Sequence, residues 1–309
     1  MSIDVTAIGD VNVDLLTSPI PRFPKKDMQV LLPNVNLTVG GGAANFAIAS
    51  SALGLKTRLV GLVGHGIFGD YIIKRIEDFG VQSRIKKTEK EKTGVTFGVQ
   101  LEDGSRNLFT FIGTNALFST KDFGLEDLEG KILYIGGYNF LDGLRKDFHR
   151  IVKYAKGKGM LVSLDPDVKS GVRFDVKELR KILDFVDLFL LNRKEGEMLT
   201  GKKGKEEIVK NLLNFGCKNV ILKCGEEGCA VGSRSKIFTV KGIEVRAVNS
   251  TGVGDVFNSA FIFNYCKTKG LRKSAIFANA AGALAVTKNG ERRFPTEKEV
   301  IDFLKKHGK

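Results

Sequence analysis

The chain of 309 residues is 42% apolar and 27% charged, a balance that excludes a disordered chain, a collagen and a coiled coil, and its length suits one large α/β domain or two of ordinary size. Lys and Arg outnumber Asp and Glu by 49 to 35, a net charge of +14, which would suit nucleic acid, a membrane surface or a phosphorylated small molecule. The lysines are interleaved with acids at 86–92 and 202–207, with no RNP motif, zinc-finger spacing or basic zipper region, so nucleic acid is not expected as a partner. The first predicted element is a β-branched strand over 3–9 that ends in glycine. Residues 28–39 alternate loosely and suit an exposed strand or two. Residues 43–54 are rich in small side chains and close on Gly54, which predicts a tightly packed helix. A strand over 57–63, a helix over 67–79 and strands near 93–100 and 107–112 follow.

From residue 132 the rhythm is regular. Strands over 132–136, 160–165, 188–191 and 220–224 alternate with helices over 144–156 and 176–183 and with helices starting near Arg193 and Lys205. Short apolar strands separated by helices predict a mostly parallel, doubly wound sheet with helices on both faces. The last third is helical, over 255–268, 271–287 and 296–306. The stretches 11–39 and 93–113 break the rhythm with prolines and alternating polarity, and they predict a small β-sheet lid on a single domain spanning 1–309. No run of about 18 apolar residues offers a transmembrane helix, so no membrane partner is expected. The N-terminus lacks the basic and apolar regions of a signal peptide, which places the protein in the cytoplasm. The four cysteines form no C-x-x-C pair and read as reduced thiols, and a zinc site is not expected.

Six short motifs carry the chemistry. Asn249-Ser250-Thr251-Gly252-Val253-Gly254-Asp255 precedes an apolar helix. Its glycines turn the backbone so that N–H groups face an anion at a helix N-terminus, and Asp255 at the mouth is placed either to take a proton from an attacking hydroxyl or simply to cap the helix. Gly40-Gly41-Gly42-Ala43-Ala44-Asn45 brings bare backbone and one amide to a ligand, or is a glycine turn into a helix. Asn12 and Asp14 follow the first strand, the edge that borders the crevice of an open α/β sheet, where Asp14 suits sugar hydroxyls. Asn192-Arg193-Lys194-Glu195 offers a carboxylate for Mg²⁺ through water. Lys223-Cys224-Gly225-Glu226-Glu227-Gly228 is a strand end on which a nucleotide would lie flat, or a plain hairpin; the small residues around Asn279 either wall an adenine or pack a helix.

Taken in this order, the motifs resemble the ribokinase-like (PfkB) family of sugar and nucleoside kinases, over nearly the whole length. Gly40-Gly41 with Asn45 is similar to its N-terminal signature. Asn249 to Asp255 is similar to its D-T-x-G-A-G-D motif, and Asn192 to Glu195 to its N-x-x-E. Residues 277–287 resemble its C-terminal helix; Asp103-Gly104-Ser105-Arg106 and 113–116 resemble its lid. The resemblance implies transfer of the ATP γ-phosphoryl to a hydroxyl of a small sugar-like acceptor. By it Asp255 is the general base, with Gly252, Val253 and Gly254 as anion hole. Asn12, Asp14, Gly40, Gly41 and Asn45 are acceptor contacts, Asn192, Lys223, Gly225, Gly228 and Asn279 are ATP contacts, and Glu195 is associated with Mg²⁺.

Val253 stands where the family usually has Ala and Asn249 where it has Asp, and the strand end at 135–138 lacks the acid of a plain ribokinase. A nucleoside, or a sugar that is already phosphorylated, therefore stays open as acceptor. The resemblance also implies a homodimer joined through the lid. It places a monovalent cation between Asn249 and the carbonyls of 285–290, a site that the missing carboxylate would weaken.

Overall fold

The structure, a computed structural model, describes residues 2–103, 105–168, 174–288 and 290–308. Gly104 of the lid motif and Asn289 of the 285–290 stretch lie outside the described residues. The chain begins with β1 (Val5–Gly9), all five residues buried. β2 (Asn12–Thr17) and β3 (Val35–Gly40) leave for a second sheet, and α1 (Gly42–Ala52), β4 (Thr57–Gly64), α2 (Ile67–Asp78) and β5 (Gln82–Thr88) return to the first. β6 (Gly94–Gln100) and β7 (Arg106–Phe111) revisit the second sheet, and α3 (Thr114–Leu117) is a single turn. Alternation then runs through β8 (Ile132–Gly136), α4 (Phe148–Gly157), β9 (Leu161–Leu164), α5 (Val176–Leu183), β10 (Leu188–Asn192), α6 (Arg193–Thr200), α7 (Lys205–Leu213) and β11 (Asn219–Lys223). A hairpin, β12 (Cys229–Ser233) and β13 (Ile237–Val240), precedes α8 (Val253–Thr268), α9 (Leu271–Val286) and α10 (Glu297–Lys306).

Among the described residues the main sheet has nine strands in the order β13-β12-β11-β10-β9-β8-β1-β4-β5. Pairing is parallel from β11 to β5, and β12 and β13 add antiparallel. Alternate residues face opposite sides: Leu188, Leu190 and Ile221 pack with α1, α8 and α9, while Phe189, Leu191 and Leu222 pack with α4, α5 and α7. The small residues of α1 serve close packing, and Phe46 stacks on Tyr134 of β8 with ring centroids 3.5 Å apart. β1 lies between β8 and β4, so the strand order reverses there, and the carboxyl ends of β1, β8, β9, β10 and β11 open onto one crevice.

The second sheet has the order β3-β2-β6-β7. Register fixes its faces. Asp14 stands beside Thr38 and Thr96, and Thr96 beside Thr110; this face carries the buried Asp14, Thr38 and Thr96. Leu15 stands beside Leu37 and Phe97, and Phe97 beside Phe109; this opposite face leaves Leu37, Phe97, Phe109 and Phe111 exposed. Of the stretch 28–39 only its end, with Gly40 added, forms a strand, β3. Ser18 donates its N–H to Asn34 O at 3.0 Å, closing the loop between β2 and β3.

Candidate active site

At the N-terminus of the sixteen-residue α8, Gly252 adopts φ 72°, the left-handed turn that glycine takes without strain. The turn aims the first N–H groups and the positive helix end at the crevice. Asp255 sits in the first turn of α8 and keeps partial access to solvent. A Cβ on Gly42, the first residue of α1, would come within 3.7 Å of its Oδ1. The helix starts of α1 and α8 therefore meet at this carboxylate. Burial, then the negative charges of Asp165, Asp10 and Asp167, push the Asp255 carboxyl well above the usual range, and Lys223 opposes them. Such a carboxyl is a stronger base when ionised.

On one side lie the N-terminal motifs. Asp10, at the end of β1, accepts from the N–H groups of Gly42 at 2.9 Å and Ala43 at 3.1 Å, so a side-chain carboxylate from another strand caps α1. Asp14 is buried on the lid face toward the crevice, and burial raises its pKa to about 6 against the pull of Arg293 and Arg106. Its room comes from Gly40, where a Cβ would lie 2.0 Å from Asp14 Oδ1. Gly41 turns at φ 93°, and a Cβ there would lie 2.4 Å from Asp10 O. Gly40 is thus required by the Asp14 side chain of β2 and Gly41 by the backbone that follows β1. Asn12 accepts at Oδ1 from Asn115 Nδ2 at 2.6 Å, and Asn115 Oδ1 in turn accepts from Val11 N–H at 2.9 Å. Asn45 Oδ1 accepts from Arg293 Nη2 at 3.0 Å, and its Nδ2 lies toward Gly252.

On the other side, Asn192 and Glu195 form the reciprocal cap of α6: Asn192 Oδ1 accepts Glu195 N–H at 3.0 Å and Glu195 Oε2 accepts Asn192 N–H at 2.8 Å. Glu195 is 2% exposed. Burial and the nearby Asp165 raise its pKa. One of its oxygens serves the cap, leaving the other for a metal-bound water. No group of three His, Cys, Asp or Glu side chains converges among the described residues to hold a metal by itself. The arrangement fits Mg²⁺ that is carried mainly by phosphate oxygens and water. Gly225 turns at φ 60° with open space where a Cβ would be, whereas a Cβ on Gly228 would strike Val240 O at 2.1 Å. Gly225 thus leaves room for a ligand and Gly228 serves the chain's own packing. Asn279 donates to Val240 O at 3.1 Å and Lys241 O at 3.3 Å, so it holds the wall beside β13.

Between the two sides lies a buried polar chain. Lys223 Nζ pairs with Asp165 Oδ2 at 2.8 Å and donates to Asn258 Oδ1 at 3.1 Å. Asn258 Nδ2 donates to Asp165 Oδ2 at 2.7 Å and to Tyr134 Oη at 3.0 Å. A Cβ on Gly254 would lie 3.5 Å from the Lys223 ammonium, which puts that charge beside the anion loop. Burial alone would lower the Lys223 pKa, but Asp165 and Glu195 more than offset it, so the amine stays charged.

Residues 2–298 match the family described as pfkB family carbohydrate kinase. The chain belongs to this family. It is 27% identical to a ribokinase of Haemophilus influenzae over 97% of this chain and 98% of that one. With fructokinase-1 of Zea mays the identity is 29%, over 86% and 88%. A solved E. coli protein described as a ribokinase II, in complex with ATP and Mg²⁺, superposes with a TM-score of 0.85 at 26% identity, covering 99% of this chain and 100% of that one. The fold is ribokinase-like, with the small second sheet as the lid, and the chain is an ATP-dependent sugar kinase that uses Mg²⁺.

In this kinase the structure gathers the residues singled out from sequence around one crevice. Asp165, Asn258 and Arg293 are additional, Arg106 and Asn115 come from the stretches read only as lid motifs, and Asp10 adjoins the Asn12–Asp14 pair. Asp10 and Asp165 stand directly after β1 and β9, where a carboxylate at the end of a parallel strand was the available signal. Arg106 carried only its place in the lid motif and Arg293 carried no site signal, because the two meet residues 145 and 248 positions away.

Proposed function

We propose that the chain acts as one kinase domain in which Asp255 accepts the proton of an acceptor hydroxyl as the hydroxyl attacks the γ-phosphoryl of ATP. The observation that carries this reading is the convergence of Asp255, the start of α1 and the Gly252–Gly254 loop at one point of the crevice. The N–H groups of Gly252, Val253 and Gly254 stabilise charge on the transferring group. Asp14 and Asn45 orient the acceptor; Asn12, Gly40 and Gly41 shape that pocket. Asn192, Lys223 and Gly225 line the ATP side, Gly228 and Asn279 keep its wall in place, and Glu195 would hold Mg²⁺ through water. The metal supplies charge neutralisation on the phosphates when bound. The lid brings Arg106 across the crevice to Thr251, and closure there excludes water that would hydrolyse ATP.

The exposed apolar face of the lid supports a homodimer joined through it, since a sheet face of Leu37, Phe97, Phe109 and Phe111 is stabilised by cover. Four free cysteines support a reducing compartment such as the cytoplasm. The experiment is ADP release with ATP, Mg²⁺ and a panel of pentoses, hexoses, sugar acids, sugar phosphates and nucleosides. Turnover with a sugar-like acceptor is expected. No turnover with any member, while ATP still binds, would overturn the reading.

A further inference from the structure

Resting on the kinase reading above, we propose that Asn115 is a positioning residue: it fixes the Asn12 amide so that the acceptor meets the NH2 of Asn12 and not its carbonyl. Asn115 belongs to the body of the protein. Gly113 turns at φ 55°, after which Thr114 donates its N–H to Lys92 O at 2.9 Å and its hydroxyl to Leu62 O of β4 at 2.9 Å. These bonds seat the single turn α3 against the main sheet. From there the Asn115 side chain, 1% exposed, reaches the roots of the lid. Its Oδ1 accepts from Val11 N–H at 2.9 Å, just before β2. Its Nδ2 donates to Ile112 O at 3.0 Å, just after β7, and to Asn12 Oδ1 at 2.6 Å, in β2. Gly94 opens β6 beside this contact, and a Cβ there would lie 2.2 Å from Asn12 Oδ1 and 2.6 Å from Asn115 Nδ2. One amide of the body thus meets the roots of three lid strands.

The direction of both amides follows from the backbone. A main-chain N–H only donates and a main-chain carbonyl only accepts. Val11 N–H therefore requires the oxygen of Asn115, and Ile112 O requires its nitrogen. Turning the Asn115 amide over would leave both buried backbone groups facing their own kind, which is costly. With one Nδ2 hydrogen given to Ile112, the second faces Asn12, which has to present its oxygen. The NH2 of Asn12 is left without a partner among the described residues. Asn12 lies two residues from Asp14 in β2, so the two share the crevice face of the lid. The pocket thus presents a fixed donor beside the Asp14 carboxyl. A sugar hydroxyl matches that pattern, accepting from Asn12 and giving its own proton to Asp14. A free Asn12 could offer either end of its amide. Asn115 removes that choice, and the acceptor no longer bears the cost of ordering it.

The test has two arms. In the first, exchange of side-chain amide protons with water is followed by NMR on the full chain labelled at asparagine, the two signals being assigned by their loss in Asn12→Asp and Asn115→Asp. The Asn12 protons should exchange about tenfold or more faster than those of Asn115. Slow exchange at Asn12 with fast exchange at Asn115 would overturn the proposal. The second arm is steady-state kinetics with the member of the sugar panel that turns over best. Asn115→Asp keeps an oxygen for Val11 N–H and, ionised, turns its other oxygen to Asn12, whose NH2 should swing towards it. KM for the acceptor should rise about tenfold or more, with KM for ATP unchanged. In an Asn12→Ala background the same substitution should change the acceptor KM by less than about twofold, because Asn115 acts through Asn12. An undiminished effect there would assign Asn115 a purely structural role and overturn the proposal. Should Asn115→Asp fail to fold, Asn12→Asp decides: it keeps an oxygen for Asn115 and loses the donor, so the acceptor KM should rise about tenfold or more. An unchanged KM would overturn the proposal and leave the kinase reading standing. If no acceptor turns over, the kinase reading fails, and the exchange rates alone decide which end of the Asn12 amide faces the crevice.

Discussion

A Cβ on Gly40 would lie 2.0 Å from Asp14 Oδ1, so the bare backbone of β3 is what admits the carboxyl of β2 to the crevice. The backbone of Gly40 is not in the left-handed region, and the obstacle to a side chain is steric alone. Gly40→Ala should displace Asp14 and cost about 1–3 kcal/mol in stability. KM for the acceptor should rise about tenfold or more while ATP binding is kept. Thermal unfolding and steady-state kinetics check both parts, and an unchanged acceptor KM would remove Asp14 from the acceptor contacts.

Asp255→Asn retains the shape of the side chain and removes its ability to take a proton. The expected outcome is a loss of about 10²–10⁴-fold in kcat with ATP affinity nearly unchanged. A near-normal kcat would show that another group is the base.

The same carboxylate sets a pH dependence. As the proposed base, Asp255 has to be ionised for catalysis, and burial with Asp165, Asp10 and Asp167 around it raises its pKa. Activity should therefore rise with pH through that raised value, with the acid limb above the usual carboxylate range. Lys223 is the charge that holds the value down. Lys223→Met should shift the acid limb of kcat/KM further upward. It also leaves Asp165 buried without its ion pair, at a cost of about 3–5 kcal/mol, so Lys223→Met is paired with Asp165→Asn to restore a folded, neutral site. In the double variant the acid limb should lie below that of Lys223→Met, because the larger raising effect of Asp165 is removed as well, whereas a fixed limb in Lys223→Met alone would contradict the electrostatic role.

Much of this arrangement was legible beforehand. The bounds of β8 and α5 follow directly from apolar periodicity and turn residues, and both coincide with the sequence reading. β5 does not show in the sequence, because Gln-Ser-Arg-Ile-Lys-Lys-Thr carries one apolar side chain; it is a strand through its pairing with β4, and its charges suit an exposed edge. β12 and β13 do not stand out either, since Cys-Ala-Val-Gly-Ser is mostly small and Ile-Phe-Thr-Val is only four residues long; the hairpin reading of 223–228 was their one signal, and they pack against α7 and α9. At the site, local motifs such as Gly252–Asp255 announce themselves, since a tight turn needs particular residues in sequence. The Lys223–Asp165–Asn258 chain and the Arg293–Asn45 contact do not, because they are assembled from separate elements across the crevice.

The lid makes the oligomeric state testable. Phe97 and Phe109 are register partners on the exposed apolar face. Light scattering at micromolar concentration should give the mass of two chains. Phe109→Glu, which places charge in that face, should give the mass of one. A wild-type monomer would rule out the dimer.

Potassium dependence turns on Asn249. The family resemblance places a monovalent cation beside the anion loop, held by the first residue of that motif and by carbonyls after α9. Here Asn249 Oδ1 accepts the N–H of Thr251 at 2.8 Å, which engages one of its two lone pairs. Val286 O already accepts from Val248 at 2.8 Å and Asn249 at 3.1 Å. A neutral amide brings no negative charge to a hard cation, and the buried guanidinium of Arg293 adjoins Gly252 of the same loop. The site is therefore short of charge and of free oxygen, and activation by K⁺ should be weak. Initial rates against KCl at fixed ionic strength, balanced with a bulky cation, measure it. Saturable activation of about tenfold or more at low millimolar K⁺, equivalent to about 1.4 kcal/mol, would show that backbone oxygens suffice. Asn249→Asp restores the charge, and it should create or strengthen K⁺ activation without changing KM for the acceptor.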